Sequence, residues 1–255
     1  MRGDVLETHD ITASRGFLPT RDPLTTFDTD RDDGDVAAYL DRLDRLGREL
    51  PDRLAEGSFR PAADALPTPP PDLLDDLTEP ERERLCLLTS FFASGYVHEV
   101  GADPVDRLPA GIAVPLVTVS DHLGRKPIAA YDTICLRNFA LDDDEQGFEV
   151  ENIRPIQRFT GLDDERWFVA IHVAIEAAAG LALVACAHAQ RATRSGDDDA
   201  LLGHLRTIAR SLERQTAIMR RMTEGNEPTA FVEAFRPYYQ GFEGVRFVGV
   251  GGGEG

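Results

Sequence analysis

The chain has 255 residues and 42% of them are hydrophobic, so it can bury the core of one large domain or two smaller ones. Its net charge of −18 argues against nucleic acid and anionic membranes as partners, because both repel a negative protein. The three cysteines are spaced for neither a zinc site nor a disulfide framework, and the first ten residues contain no apolar signal segment. We therefore expect a cytoplasmic protein with reduced thiols.

The first part of the chain predicts helices separated by proline-rich segments. The spacing of apolar residues predicts an amphipathic helix over residues 36–54. Five prolines between residues 57 and 72 predict an extended or turning segment. A second helix is expected after Thr78, because Thr78 and Glu81 have the spacing of a capping box.

The middle of the chain is punctuated by proline and glycine. Residues 112–119 are expected to be a short strand or extended chain, since Pro115 argues against a central strand. A helix is predicted over residues 128–139. A charged loop over 142–147 and an extended segment over 149–156 follow.

An almost wholly apolar stretch, residues 166–189, predicts a long helix that begins near Thr160 and ends near Gly196. It is long enough to cross a bilayer. However, its ionisable side chains point in different directions and acidic residues crowd its first turn, as in a helix of a water-soluble domain. We therefore expect a buried core helix and no membrane partner.

Two more helices are predicted after the long one. The first covers residues 198–222 and has one apolar face. The second begins at Pro228 and should end about Arg236, because Pro237 disfavours the helical conformation of the residue before it.

One face of the long helix holds a histidine and a glutamate one turn apart. That face comprises Phe168, His172, Ile175, Glu176 and Ala179. A buried histidine is costly unless it is hydrogen-bonded or used. His172 is therefore either a core residue bonded to Glu176 or a carbonyl, or a residue facing a ligand pocket. A metal site on His172 and Glu176 is disfavoured, because helical di-metal sites need paired motifs on several helices.

Five segments in chain order resemble the indoleamine 2,3-dioxygenase family. They are Arg15-Gly16-Phe17-Leu18-Pro19 with Asp22-Pro23-Leu24; Leu123-Gly124-Arg125-Lys126-Pro127 leading to Tyr131; Leu136-Arg137-Asn138-Phe139; Trp167-Phe168 through Glu176-Ala177-Ala178-Ala179; and Phe231 through Arg236-Pro237 and Gly241. Each segment alone is unspecific, whereas five in order with compatible spacing cover most of the chain and are quite specific.

The resemblance implies a mainly α fold, in which a smaller mixed N-terminal domain packs on a large all-helical haem-binding domain. Residues 1–158 would form the smaller domain and residues 159–255 the N-terminal part of the large one. The implied enzyme uses haem b, whose metal is iron, and O2. It opens the indole ring of L-tryptophan, or of a related indole, to give N-formylkynurenine in tryptophan catabolism by the kynurenine pathway.

The resemblance also implies roles for five residues. Phe168 and Phe231 would pack on the indole, Tyr131 would form a wall, and Arg236 would pair with the substrate carboxylate. His172, where some members have serine, would be the distal catalytic histidine and accept the indole N–H. From the residues alone, the phenylalanines are equally consistent with core positions and Arg236 with the exposed end of a helix.

The axial histidine of the family lies on a late helix beyond a Gly-Ser-Ala-Gly type motif. The six histidines of this chain, namely His9, His98, His122, His172, His188 and His204, include no counterpart. We therefore assign no iron ligand and expect the N-terminal part of a dioxygenase, as a fragment, a truncated gene product or a degenerate relative, which alone should bind haem poorly. The alternative is a truncated, haem-free, non-enzymatic helical remnant that binds an indole or a partner chain.

Overall fold

The computed structural model describes residues 5–28, 34–69, 73, 75 and 77–251. Its helices are α1 (Val5–Thr8), α2 (Gly34–Ala55), α3 (Phe59–Asp64), α4 (Glu79–Val97), α5 (Ala110–His122), α6 (Asp163–Ser195), α7 (Asp198–Arg220), α8 (Met222–Gly225) and α9 (Pro228–Ala230). The strands are β1 (Arg107–Leu108), β2 (Ala140–Leu141), β3 (Ile153–Arg154) and β4 (Arg246–Phe247). Strand β1 pairs in parallel with β4, and β2 pairs antiparallel with β3. The prediction of a mainly α fold is confirmed.

The chain groups into two compact units, each built from separate segments. The first unit comprises Met1–Asp22, Cys135–Pro155 and Arg166–Asn226, and the second comprises Pro23–Ile134, Ile156–Glu165 and Glu227–Gly255. The division into domains at residue 158 stays a prediction.

The second unit has a dense core around α4, with aromatic rings and one buried ion pair. The ring of Phe159 stacks between Phe91 and Tyr238, with centroid distances of 4.3 and 4.6 Å. The Nε of Arg84 donates to Oδ1 of Asp44 at 2.8 Å, and both side chains are buried. The predicted capping box at the start of α4 is present, since the backbone N–H of Thr78 donates to Glu81 at 2.8 Å.

Helix α3 corrects the expectation that residues 57–72 are extended or turning. Pro61 stands in its first turn, where a missing N–H costs no helical hydrogen bond. Phe59 and Ala63 are buried on the face that it turns inward. The tail of the predicted segment, residues 70–72, lies outside the described residues.

Helix α5 corrects the expectation of extended chain over residues 112–119. Pro115 stands inside the helix, where the loss of one hydrogen bond and the ring contact cost about 3 kcal/mol. Four of its side chains are fully buried at helical spacing: Ile112, Ala113, Leu116 and Val119. Burying a large apolar side chain contributes roughly 1.5–3 kcal/mol, so this face outweighs the proline.

Two other helices differ from their predictions. Of residues 128–139, only Asp132–Leu136 forms helical structure, as a π-helical turn. After α9 the chain continues as a π-helical turn, Phe231–Phe235, and then as a 3-10 turn, Arg236–Tyr239. Arg236 keeps helical angles (φ −56°, ψ −35°) in spite of the following proline. The buried ring of Tyr238 holds this extra turn in place.

Helices α6 and α7 form an antiparallel hairpin, most of which lies in the first unit. The two helices were predicted from their length and apolar spacing, whereas their packing was not. Three contacts define it: Trp167 Nε1 to Arg221 O at 2.9 Å, Ser211 Oγ to Ala178 O at 2.7 Å, and the rings of His188 and His204 at 5.4 Å. Gly196 ends α6 with φ +71°, as a C-terminal glycine does. By length and composition α6 could cross a membrane, but half of its most apolar segment is buried within the protein.

Candidate functional site

The polar pair of α6 lies on a face that is not the core face of the helix. All five residues predicted to share that face are half-buried: Phe168, His172, Ile175, Glu176 and Ala179. The residues between Phe168 and Ile175 other than His172 are buried: Val169, Ala170, Ile171, Val173 and Ala174. Phe168 and Ile175 pack against the hydrophobic core of the first unit from this face, so the face is partly covered.

His172 is held by its own helix. Its Nδ1 lies 2.7 Å from the backbone oxygen of Phe168, and the rings of the two residues are 4.3 Å apart. A carbonyl oxygen only accepts, so Nδ1 carries the proton and Nε2 is the acceptor nitrogen of the neutral ring. Burial lowers the pKa of His172, against the opposing effects of the Phe168 carbonyl and the charge of Glu176. The imidazole is therefore a neutral hydrogen-bond acceptor at neutral pH.

Cys135 packs next to the same part of α6 without being reactive. It is fully buried in the π-helical turn. Burial raises the pKa of its thiol, and the negative charge of Glu176 raises it further. A thiol in this state stays protonated and is a poor nucleophile, so Cys135 is a packing residue.

The loop around Gly16, which is part of the first segment that resembles the family, packs closely against the middle of α6. Gly16 has φ +58°, and a Cβ atom there would lie 2.2 Å from the backbone oxygen of Glu176. Across the contact, a Cβ atom on Gly180 would lie 2.6 Å from the oxygen of Thr12. Both positions need glycine, because two backbones touch there. Arg15 holds the loop shape by donating to Asp22 at 2.8 Å.

The second unit places Phe231 and Arg236 on one open cleft of about 600 Å³. The other residues that line it are Val232, Pro237, Tyr239 and Gln240. The ring of Phe231 packs edge-on against the buried Phe235 at 5.3 Å. The side chain of Arg236 is exposed, and within the described residues no carboxylate pairs with it. Such a guanidinium can receive the carboxylate of a ligand.

The five predicted site residues thus fall into two groups. Phe168 lies beside His172 in the first unit, and Phe231 shares its cleft with Arg236 in the second. Tyr131 belongs to the second unit as well, where it directly precedes the π-helical turn and is 44% exposed. The roles of all five stay predictions. Within the described part of the chain, no group of three or more His, Cys, Asp or Glu residues can hold a metal ion.

Comparison with known proteins decides the family. The sequence profile of the indoleamine 2,3-dioxygenase family matches residues 5–252. The chain belongs to this family. It is similar to an indoleamine 2,3-dioxygenase of Aspergillus candidus, with 31% identity over 246 residues that cover 94% of this chain and 58% of that protein. It is similar to an indoleamine 2,3-dioxygenase of Saccharomyces cerevisiae, with 32% identity over 256 residues, 96% of this chain and 54% of that protein.

A third relative differs in its named substrate. It is a 6-hydroxytryptophan 2,3-dioxygenase of Fusarium equiseti, with 26% identity over 248 residues that cover 97% of this chain and 59% of that protein. The chain therefore spans somewhat more than half the length of the curated relatives that it matches.

Proposed function

We propose that this chain forms the substrate-binding part of a haem-dependent dioxygenase. The reaction opens the indole ring of L-tryptophan, or of a related indole, with O2 to give N-formylkynurenine in the kynurenine pathway. Family membership over nearly the whole chain supports the dioxygenase class. The single structural observation that carries the proposal is the neutral imidazole of His172 beside the ring of Phe168 on the half-buried face of α6.

In this proposal, that face would lie against one side of a flat apolar group such as haem b. Phe168, Ile175 and Ala179 offer apolar atoms there, and the glycine contact at Gly180 fixes the helix. When bound, the haem iron supplies the activation of O2. The protein ligand that would hold the iron would come from polypeptide that corresponds to the part of the relatives that this chain does not match.

Each predicted residue has one role in this proposal. Arg236 binds the carboxylate of the amino acid, and Phe231 packs on the indole. Nε2 of His172 accepts the indole N–H and so orients the ring, which needs the neutral imidazole. Tyr131 forms a wall of the substrate pocket.

The first experiment asks whether the chain binds haem and turns over substrate. The purified chain is titrated with haemin, the Soret band is recorded, and L-tryptophan with a reductant and O2 is then tested for N-formylkynurenine. The proposal expects product from the chain, or from the chain mixed with the polypeptide that carries the axial ligand. If neither preparation gives product, the haem-free, non-enzymatic alternative is favoured.

The second experiment tests Arg236 in the active preparation. Arg236→Gln should raise KM for L-tryptophan by about 10- to 100-fold, because a charge-assisted bond contributes roughly 1.5–3 kcal/mol. Tryptamine, which lacks the carboxylate, should be affected much less. Arg246→Gln, an exposed change of equal charge in the same unit, is the control. Equal losses for both substrates would remove Arg236 from the site.

The third experiment tests His172. His172→Ser should keep haem and measurable activity, since some family members have serine there. The native protein should lose substrate affinity as the pH falls through the lowered pKa of His172, because the protonated ring no longer accepts a hydrogen bond. The serine variant should lack this acid limb. Loss of the Soret band with helicity intact would make His172 an iron ligand instead.

One observation favours the alternative of a partner chain. Helix α7 exposes apolar side chains that a partner chain would cover: Leu202, Leu205, Leu212 and Met219. Light scattering on the pure chain tests this alternative. A haem-free monomer at all concentrations argues against self-association through α7.

A further inference from the structure

A second cavity, of about 470 Å³ and open to the surface, is lined by residues of the first unit alone. It is bounded by the N-terminal loop, by α6 and by α7. Ala177 and Ala178 have small side chains, which is why there is open space next to α6. The ring of Phe148 lines another side, and Arg210 and Arg214 line the side formed by α7. The volume is in the range of pockets that take small organic ligands. Neither the cleft of Arg236 nor the half-buried pair of α6 contributes a residue to it.

Two walls of this cavity are held in place before any ligand arrives. The guanidinium of Arg15 lies over the ring of Phe148 at 5.3 Å, and the ring of Phe139 meets it edge-on at 5.7 Å. The loop that carries Ser14 is fixed by the backbone contact of Gly16 with Gly180. Walls that are already ordered lose little entropy when a ligand binds.

The spacing between α6 and α7 is also set at the cavity. The Oγ of Ser211 donates to the backbone oxygen of Ala178 at 2.7 Å and accepts from Gln215 at 3.1 Å. Ser211 is the only buried residue of α7. The bond from Ser211 to Ala178 joins the two helices directly beside the cavity.

The two arginines carry more positive charge than the surrounding residues balance. They stand four residues apart on the same side of α7, where like charges repel. Arg214 has one ion-pair contact, at 3.4 Å to Glu149, and both side chains are more than 60% exposed, so that pair is weak. Arg210 donates its Nε to the backbone oxygen of Arg206 at 3.3 Å, and the described residues offer its guanidinium no carboxylate. An anion in the cavity would remove the repulsion.

We propose that this cavity binds a small organic anion. Its carboxylate contacts Arg210 and Arg214, and its flat apolar body lies against Phe148 and the alanines of α6. Arginine suits this role because its planar fork matches a carboxylate and its charge persists at any relevant pH. The site goes beyond the proposed dioxygenase activity, and it involves no chemical step.

The test uses 2-naphthoate, which has the anionic group and the flat body but no indole. Calorimetric titration at constant ionic strength compares it with the neutral 2-naphthamide and with inorganic phosphate. The proposal expects saturable binding of 2-naphthoate and at least about tenfold weaker binding of both others, because each lacks one half of the recognised chemistry.

Variants then locate the binding. The double variant Arg210→Gln/Arg214→Gln should weaken 2-naphthoate at least about tenfold. Arg194→Gln/Arg220→Gln removes the same charge from exposed positions of the hairpin and should change binding less than about twofold. Ala178→Leu keeps the charge, fills the space and should also weaken binding. Circular dichroism verifies that each variant is folded.

Three outcomes with the ligands and double variants above would overturn the proposal. They are unchanged binding in the Arg210→Gln/Arg214→Gln variant, equal binding of the amide, or equal losses in the two double variants. Loss of binding in Arg236→Gln alone would also do so, since the ligand would then occupy the other cleft. Because none of these measurements needs haem or turnover, failure of this proposal is separable from failure of the dioxygenase assignment.

Discussion

Helices α4 and α7 have similar lengths, 19 and 23 residues, and opposite surroundings. In α4, 14 residues are buried, including charged ones, whereas in α7 only Ser211 is buried. Helix α4 is stabilised by packing on every side. Helix α7 depends on its own hydrogen bonds, on the cap that Asp197 provides to Ala200 at 3.0 Å, and on one face against α6. The comparison separates a part of the molecule that determines stability from a part that is free to carry binding surfaces.

The largest effect is expected at the buried ion pair of α4. Arg84→Met should lower the free energy of unfolding by about 3–5 kcal/mol, because Asp44 is left buried without its cation. Urea unfolding measures the change. Arg45→Met, at an exposed pair with Asp41 on α2, is the matched control and should cost less than about 1 kcal/mol. Similar costs at both positions would mean that α4 is not the core that its burial indicates.

The second-largest expected effect is a change of about 3 kcal/mol in the free energy of unfolding, and it depends on pH. Glu165 accepts hydrogen bonds from the backbone N–H groups of Phe159 and Thr160, and burial raises its pKa from 4.5 to about 7. Between pH 4.5 and 7 the folded state therefore keeps a proton on Glu165, whereas the unfolded state has released it. Stability due to this group is present below pH 4.5 and lost as the pH rises through about 7.

Glu165→Gln isolates this contribution, because an amide does not titrate. Denaturant unfolding of the variant should show a flatter dependence on pH across that window than the native chain does. Parallel curves for the two proteins would show that Glu165 has an ordinary pKa. Glu213→Gln, an exposed change on α7, should leave the native dependence in place.

A third effect is expected where the N-terminal loop meets α6. Gly180→Ala should cost about 1–3 kcal/mol, because its Cβ would overlap the backbone oxygens of Thr12 and Ala13. Gly203→Ala on α7 has open space around it and should instead stabilise by roughly 0.5–1 kcal/mol through helix propensity. The same substitution is therefore expected to lower the free energy of unfolding in α6 and to raise it in α7. Stabilisation at both positions would contradict the close contact.

The smallest effect is expected on the exposed face of α7. Leu205→Gln and Leu212→Gln should each change stability by less than about 0.5 kcal/mol, since both side chains are half exposed. The same change at Leu88 in α4 should cost several times more, because it buries a polar group without a partner. Thermal or urea unfolding compares the three variants. A large loss at Leu205 or Leu212 would show that this face is covered in solution.

Residues whose structure depends on near neighbours were predictable from the sequence. The capping pair Thr78 and Glu81, the acidic first turn of α6 and its glycine end marked helix limits that the structure confirms. The shared face of Phe168 and His172 followed from helical geometry alone, and both residues are half-buried on it. Family membership also followed, because five short segments kept their order and spacing.

The cavity of the hairpin escaped prediction although its parts were visible. Arg210 and Arg214 stand at helical spacing, and three alanines follow Glu176 in α6. These signals acquire meaning only when the register of the two helices is known, because that register decides which residues face each other. Phe148 and Ser14 come from distant segments, so nothing local connects them to the cavity.

What the sequence by itself determined was the helical class, most helix limits of α2, α4, α6 and α7, and the family, all of which depend on local spacing and composition. Only the tertiary structure decided that residues 110–122 are helical around Pro115, that Gly16 meets Gly180, and that Arg236 keeps a helical turn before a proline. The reason is physical. Local preferences differ by about 1–3 kcal/mol, and the burial of a few side chains contributed by distant segments is large enough to reverse them.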